Sequence, residues 1–179
     1  MSDDAPINGA PINGAPINGA PIGWEQATEG PAGLEDLHEL ALSVAPQLAG
    51  HPIVALGWAT VDIDAVRRRI EADAGFGAFV AAARDDHLGA RAVVHRPGEP
   101  SGEPIEVLLE PDTEGRLAAS LARHGEGFAA IWFGPRDDPP GAPPEGFGRR
   151  ADGPLGPCRL LLGGPPWGLS VLLLETAAP

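Results

Sequence analysis

The sequence predicts an α+β chain, and three observations carry that reading. Residues 105–133, IEVLLEPDTEGRLAASLARHGEGFAAIWF, read as a strand, a helix and a strand in one piece. Further apolar runs of strand length stand on both sides of this centre, separated by Gly- and Pro-rich turns. The N-terminal stretch is built on a proline-containing repeat with nothing that could bury a face, so the folded part lies downstream of it.

In the centre, residues 105–109 are a β-branched and leucine run closed by Glu110 and Pro111, as a strand end should be. Asp112 or Thr113 then caps a helix over 114–124, whose Leu117 and Leu121, flanked by Ala118 and Ala122, make one narrow apolar stripe. Gly125 follows Arg123 and His124, where a helix stops. Residues 128–133 are an apolar run short enough for a buried strand.

Upstream, residues 5–23 repeat APING three times and end in APIG. A disordered tail over 1–31 is expected, arising by replication slippage or serving as a flexible tether or an interaction tail. Residues 32–50 hold an amphipathic helix with Leu34, Leu37, Leu40, Ala41 and Val44 at helical spacing, ended near Pro46. Its stripe should pack on the following domain or on a second subunit, with His38 at the solvent edge. The domain itself runs over 51–179. It opens with a strand at 53–60 and a helix at 62–74 that turns Ile63, Val66 and Ile70 inward. Strands at 79–83 and 90–95 precede the centre, and strands at 158–162 and 169–174 follow it. Between them, residues 134–157 are too rich in Pro and Gly for a helix.

Composition excludes several functions. A net charge of −13 argues against nucleic acid and against an anionic membrane surface. All twelve cations are arginine, and the absence of Lys and Tyr removes Schiff-base chemistry, a P-loop lysine and a tyrosine acid or base. Such usage fits a GC-rich bacterial genome. The single cysteine, Cys158, forms no internal disulfide and reads as a small core residue. No segment looks like a signal peptide or reaches transmembrane length, so a soluble cytoplasmic protein is expected.

Leu108, Leu109, Glu110 and Pro111, the helix over 114–124, and the turn His124, Gly125, Glu126 and Gly127 together resemble the vicinal oxygen chelate (VOC) superfamily of glyoxalases, bleomycin-resistance proteins and extradiol dioxygenases. Among its members they look most like methylmalonyl-CoA epimerases, in which LLEP, a helix, an RGEG-like turn and a strand join two βαβββ modules. VDIDAV at 61–66 is similar to a family segment at the first strand-to-helix junction. The resemblance spans roughly 53–175 and implies a barrel of paired βαβββ modules. The second is reduced, with 134–157 forming a long loop where a helix and a strand belong.

The resemblance also implies where a divalent metal would be held, on the first and last strand of each module. The matching residues are Leu56, Val107, Ala129 or Ala130, and Leu172, and a slip of one residue brings Gly57 or Val171. None is a ligand for an ion that prefers oxygen and nitrogen, so no metal and no cofactor are expected. His51, His87, His95 and His124 share no local ligand spacing.

The match brings out an internal symmetry. Leu56-Gly57-Trp58 corresponds to Ala130-Ile131-Trp132, and Val107 to Glu110 corresponds to Leu172 to Glu175. On that alignment Trp58 and Trp132 share a concave face with Leu56 and Ala130, and Val107, Leu109, Leu172 and Leu174 complete it. The face is either a filled core or a cup for a small apolar or aromatic molecule, with indole NH groups as donors. Asp85, Asp86, Asp137 and Asp138 either rim that cup, favouring a cationic ligand, or form a solvated loop.

No catalytic residue emerges. Glu126 has a local explanation at its turn, and Glu106 and Glu110 should point away if Val107 points in. Ser120 lacks a histidine or acid at recognisable spacing, and LLLGGPPWG is not a dinucleotide loop. The sequence therefore predicts a metal-free VOC-fold protein binding a small molecule. The alternatives are an isomerase or lyase resembling methylmalonyl-CoA epimerase and a non-catalytic interaction scaffold. A homodimer through the 34–48 stripe fits the habit of the fold.

Overall fold

The computed structural model describes residues 39, 41–43, 45–72, 77–96, 103–136, 144–164 and 168–176. The predicted tail, the first turns of the 34–48 helix, Asp137 and Asp138 lie outside the described residues. Strand β1 (Ile53–Ala59) feeds helix α1 (Ile63–Glu71), which Asp62 caps by accepting the Ala65 amide at 2.8 Å. Strands β2 (Val80–Ala81), β3 (Ala90–His95) and β4 (Ile105–Pro111) follow. Helix α2 (Arg116–His124) leads to β5 (Gly127–Phe133), β6 (Phe147–Ala151), β7 (Cys158–Leu161) and β8 (Ser170–Leu174).

All the strands join one sheet in the order β2-β3-β4-β1-β5-β8-β7-β6. Within it β1 runs parallel to β4, β5 runs parallel to β8, and β1 meets β5 antiparallel at the centre. The order is the same from either end once β5–β8 replace β1–β4. The α+β class and the pairing of two modules are thus as the sequence predicts.

Two details differ from expectation. Neither Asp112 nor Thr113 caps α2; its N-cap is Gly115, without a side-chain bond. The carbonyl of Leu88 takes the Leu117 amide instead, at 3.0 Å, so the turn before β3 satisfies the helix start. The 134–157 stretch also contains a strand after all, β6, paired antiparallel with β7 at the sheet edge. Its sequence FGRRA lies between the proline clusters and is free to bond, whereas no helix occurs there among the described residues.

Apolar side chains sort into three clusters. One inner cluster draws on both modules, from Ala90, Ala92 and Val94 on β3 across to Cys158 and Leu160 on β7. The other face of the sheet carries one cluster per module. In module one, α1 presses Ile63 and Ile70 onto Phe79, Val93 and Leu108. In module two, helical residues 41–43 and the 3₁₀ turn Pro46–Leu48 supply Ala41, Ala45 and Leu48, all fully buried, against Ile131, Phe133, Val171 and Leu173. The described end of the N-terminal amphipathic segment, 41–48 without residue 44, therefore packs on the outer face of module two.

Candidate functional site

Val107, Leu109, Ala130, Trp132, Leu172 and Leu174 all lie in the inner cluster, none more than 2 % exposed. Leu56 and Trp58 do not join them. Leu56 packs with Ile131 and Phe133 on the outer face of module two, and Trp58 lies half-buried against the outer cluster of module one. The expected pair of indoles on one face is thereby corrected to a single indole, Trp132.

The strand register gives the physical reason. Gly57 pairs with Val107, and Trp132 pairs with Leu172. Val107 and Leu172 hold the same place in their two modules, so the counterpart of Trp132 is Gly57, and that of Trp58 is Phe133. The similarity of LGW to AIW is thus offset by one residue from the true correspondence, and a slip of one reverses the face of every side chain. β1 runs along β4 without a shift, so the offset lies in matching LGW to AIW and not in the strand itself.

Gly57 and Trp132 are also complementary in shape. A Cβ on Gly57 would stand 2.7 Å from Cζ3 and 2.9 Å from Cη2 of Trp132, and 2.9 Å from the Ala130 methyl. One module supplies the indole, and the other leaves out a side chain to seat it. The indole nitrogen is buried and has no hydrogen-bond partner among the described residues.

The turn over 85–89 closes one end of the inner cluster. Asp85 Oδ1 accepts the amides of His87 (3.0 Å) and Leu88 (2.9 Å), while Oδ2 is buried without a partner among the described residues. Burial pushes the Asp85 carboxyl up to about 6, against the pull of those two amides. This acid is fully buried, so it is neither a solvated loop residue nor an exposed rim charge. The same turn ties the modules together, because the Asp86 amide donates to the Asp152 carbonyl at 3.1 Å and His87 Nε2 donates to the Cys158 carbonyl at 3.1 Å. Burial, with Asp85 nearby, pushes the Cys158 thiol up to about 12, which leaves it protonated and inert.

The remaining polar candidates face away from the inner cluster. Glu106 sits 3.0 Å from His95 Nδ1; burial raises its carboxyl to about 8, with Glu103 adding, and lowers the His95 imidazole. Glu110 accepts Arg91 at 2.8 Å and the Ile63 amide at 2.7 Å, so it serves the start of α1. Glu126 accepts the Thr60 hydroxyl and, at 2.8 Å, the Val61 amide, so its role is a long-range tie from the turn before β5 to the end of β1 and not the local one expected of it. Among the described residues no group of three or more His, Cys, Asp or Glu is placed to hold a metal ion. The inward residues nearest the family's ligand positions are Gly57, Val107, Ala130 and Leu172, and their side chains do not fit a divalent ion.

A separate cavity of about 390 Å³ lies between α2 and the approach to β8. Arg116, Ser120, Arg123 and His124 line one wall, with Leu160, Leu161 and Ser170 among the residues opposite. Ser120 Oγ donates to the Gly168 carbonyl at 3.3 Å and fixes the spacing of the walls. Sequence reasoning considered Ser120 only as a nucleophile; the signal it passed over was the i, i+4, i+7 spacing of Arg116, Ser120 and Arg123.

Neither a protein-family model nor a curated protein sequence matches the chain. Solved structures do. A Streptomyces coelicolor methylmalonyl-CoA epimerase variant in complex with 2-nitronate-propionyl-CoA superposes with a TM-score of 0.53 at 23% identity, covering 71% of this chain and 97% of that one. Methylmalonyl-CoA epimerase from Mycobacterium tuberculosis gives 0.54 at 17% identity, over 71% of this chain and 88% of that one. A hypothetical protein from Bacillus halodurans gives 0.50 at 16% identity, over 69% and 92%. The chain therefore has the vicinal oxygen chelate fold that these proteins share.

Proposed function

We propose that this chain is a metal-free binding protein on the vicinal oxygen chelate fold, receiving a small apolar or aromatic molecule at Trp132. The observation that carries the reading is the Trp132 indole NH, a buried donor on the inner face of the sheet without a partner among the described residues. Leaving such a donor unpaired costs about 1–3 kcal/mol, which a ligand carbonyl or ether oxygen would recover. The surrounding Val107, Leu109, Leu172 and Leu174 favour an apolar body around that one acceptor. The apolar residues at the fold's metal positions support a protein that works without a divalent ion.

Fluorescence titration with coumarin, an aromatic lactone with a single strong acceptor, tests this. The expected result is saturable quenching that disappears in Trp132→Phe while the melting temperature stays within a few degrees. Quenching that persists in Trp132→Phe, or none in the wild type, sinks the proposal.

A second reading, an isomerase acting on an acyl-CoA, is favoured by the likeness to epimerases solved with CoA esters. It requires a ligand set that Gly57, Val107, Ala130 and Leu172 do not provide. One mole of divalent metal per chain, together with proton exchange at the α-carbon of methylmalonyl-CoA, would put it first.

A further inference from the structure

We propose that the cavity between α2 and the approach to β8 is a binding site for a small phosphorylated anion, gripped by Arg116 and Arg123. The site is distinct from the Trp132 cup, and its ligand class is opposite in character.

The first support is electrostatic. In a chain of net charge −13, Arg67, Arg84, Arg91, Arg150 and Arg159 each meet a carboxylate. Arg116 and Arg123 meet none among the described residues, and no described residue lining their cavity is acidic. Two uncompensated guanidinium groups on one wall of a recess of about 390 Å³ make a local positive field in an otherwise negative protein.

The second support is that helix stability does not explain Arg116. Arg123 and His124 occupy the last turn of α2, where cations favour the helix dipole. Arg116 is the first residue of α2, where the dipole is already positive and a cation is disfavoured. Its charge adds to the positive end of the helix instead of neutralising it, which suits an external anion.

Geometry narrows the ligand class. Arg116, Ser120 and Arg123 lie on one side of α2, and the two arginines are separated by about 10 Å along the axis. One phosphate reaches one guanidinium fork, whereas two linked phosphates span towards both, with the Ser170 hydroxyl also lining the recess and the Ser120 proton already committed to the Gly168 carbonyl. The opposite wall is leucine, so a phosphate ester or anhydride with a short organic body fits better than a fully hydrated ion.

Calorimetric titration with inorganic pyrophosphate at low ionic strength, beside succinate, is the test. The expected result is one saturable site that weakens about tenfold in each of Arg116→Gln and Arg123→Gln, the loss of one charge-assisted pair. Arg149→Gln, on an exposed edge strand, should leave it unchanged. Amide shifts in the wild-type protein should map to residues 116–124 and 168–170, which keeps the test decisive should a variant fold poorly. Absence of saturation, indifference to both substitutions, shifts elsewhere, or equal affinity for succinate would each overturn the proposal. Because coumarin reports on Trp132 and pyrophosphate on α2, either reading can fail without the other.

Discussion

The two modules solve one problem in different ways. Each presents an apolar outer face that needs a cover, and each carries a glutamate at the close of its last strand, Glu110 just before the end of β4 and Glu175 just after β8. In module one the cover is α1, made by the chain between β1 and β2. Glu110 accepts the α1 amide of Ile63 and the guanidinium of Arg91. In module two no described residue between β5 and β6 is helical, and the cover arrives from residues 41–48. Glu175 then takes two arginines, Arg150 and Arg159, at 3.0 and 2.8 Å. Where the helix start is missing, a second guanidinium supplies the positive partner. The lesson is that the sheet requires burial of its face and neutralisation of its terminal carboxylate, and it is indifferent to which segment provides them.

The strongest way to break this comparison is to remove residues 1–50. Module one keeps its helix, whereas the outer face of module two loses Ala41, Ala45 and Leu48. Loss of the cooperative thermal transition is expected, with binding of a hydrophobic dye; an unchanged melting curve would show that module two needs no cover. On a smaller scale, Leu48→Ala should cost about 2–5 kcal/mol, as a buried leucine does elsewhere. Chemical denaturation beside Ile63→Ala would show whether borrowed and native covers are worth the same.

Next in size is the seam between the modules. Folding raises the Asp85 carboxyl from 3.8 to about 6, so the folded chain holds that proton more tightly than the unfolded one. Stability from this group is therefore complete below pH 3.8 and is lost as the pH rises to about 6. The loss amounts to about 3 kcal/mol at most. Asp85→Asn keeps the acceptor for His87 and Leu88 and should flatten this slope, which denaturation at a series of pH values reads directly. Gly57→Ala should cost about 1–3 kcal/mol through overpacking against Trp132. Adding Trp132→Phe should recover part of that cost, and a double-mutant cycle showing strict additivity would deny the contact. Smallest of all, Arg150→Gln leaves Glu175 one arginine and should cost less than about 1 kcal/mol.

Several of these features were legible in the residues. Strand β3 occupies the predicted 90–95, and the stripe of the N-terminal helix foretold burial of Ala41. What the stripe covers was not legible, because the contact is set by the distant strands β5 and β8. The prolines near 140 suggested that all of 134–157 was loop, yet the proline-free stretch 145–153 was enough for a five-residue edge strand. At the candidate site, six of eight residues fall on one face because β4, β5 and β8 alternate regularly. Leu56 and Trp58 fall on the other because the match of β1 to β5 slipped by one residue, and alternation along a strand turns such a slip into a change of face.

The fit of the Trp132 ring over Gly57 also imposes an order on change. Enlarging Gly57 first meets rigid aromatic atoms at 2.7 Å, whereas shrinking Trp132 first leaves a space that a later side chain at 57 can enter. The two positions are therefore reachable along one path and blocked along the other. A library that varies position 57 alone would sample mostly misfolded chains, and a library built on a reduced residue at 132 would reach new cups. Half of the inner surface is held out of reach by the other half until the indole yields.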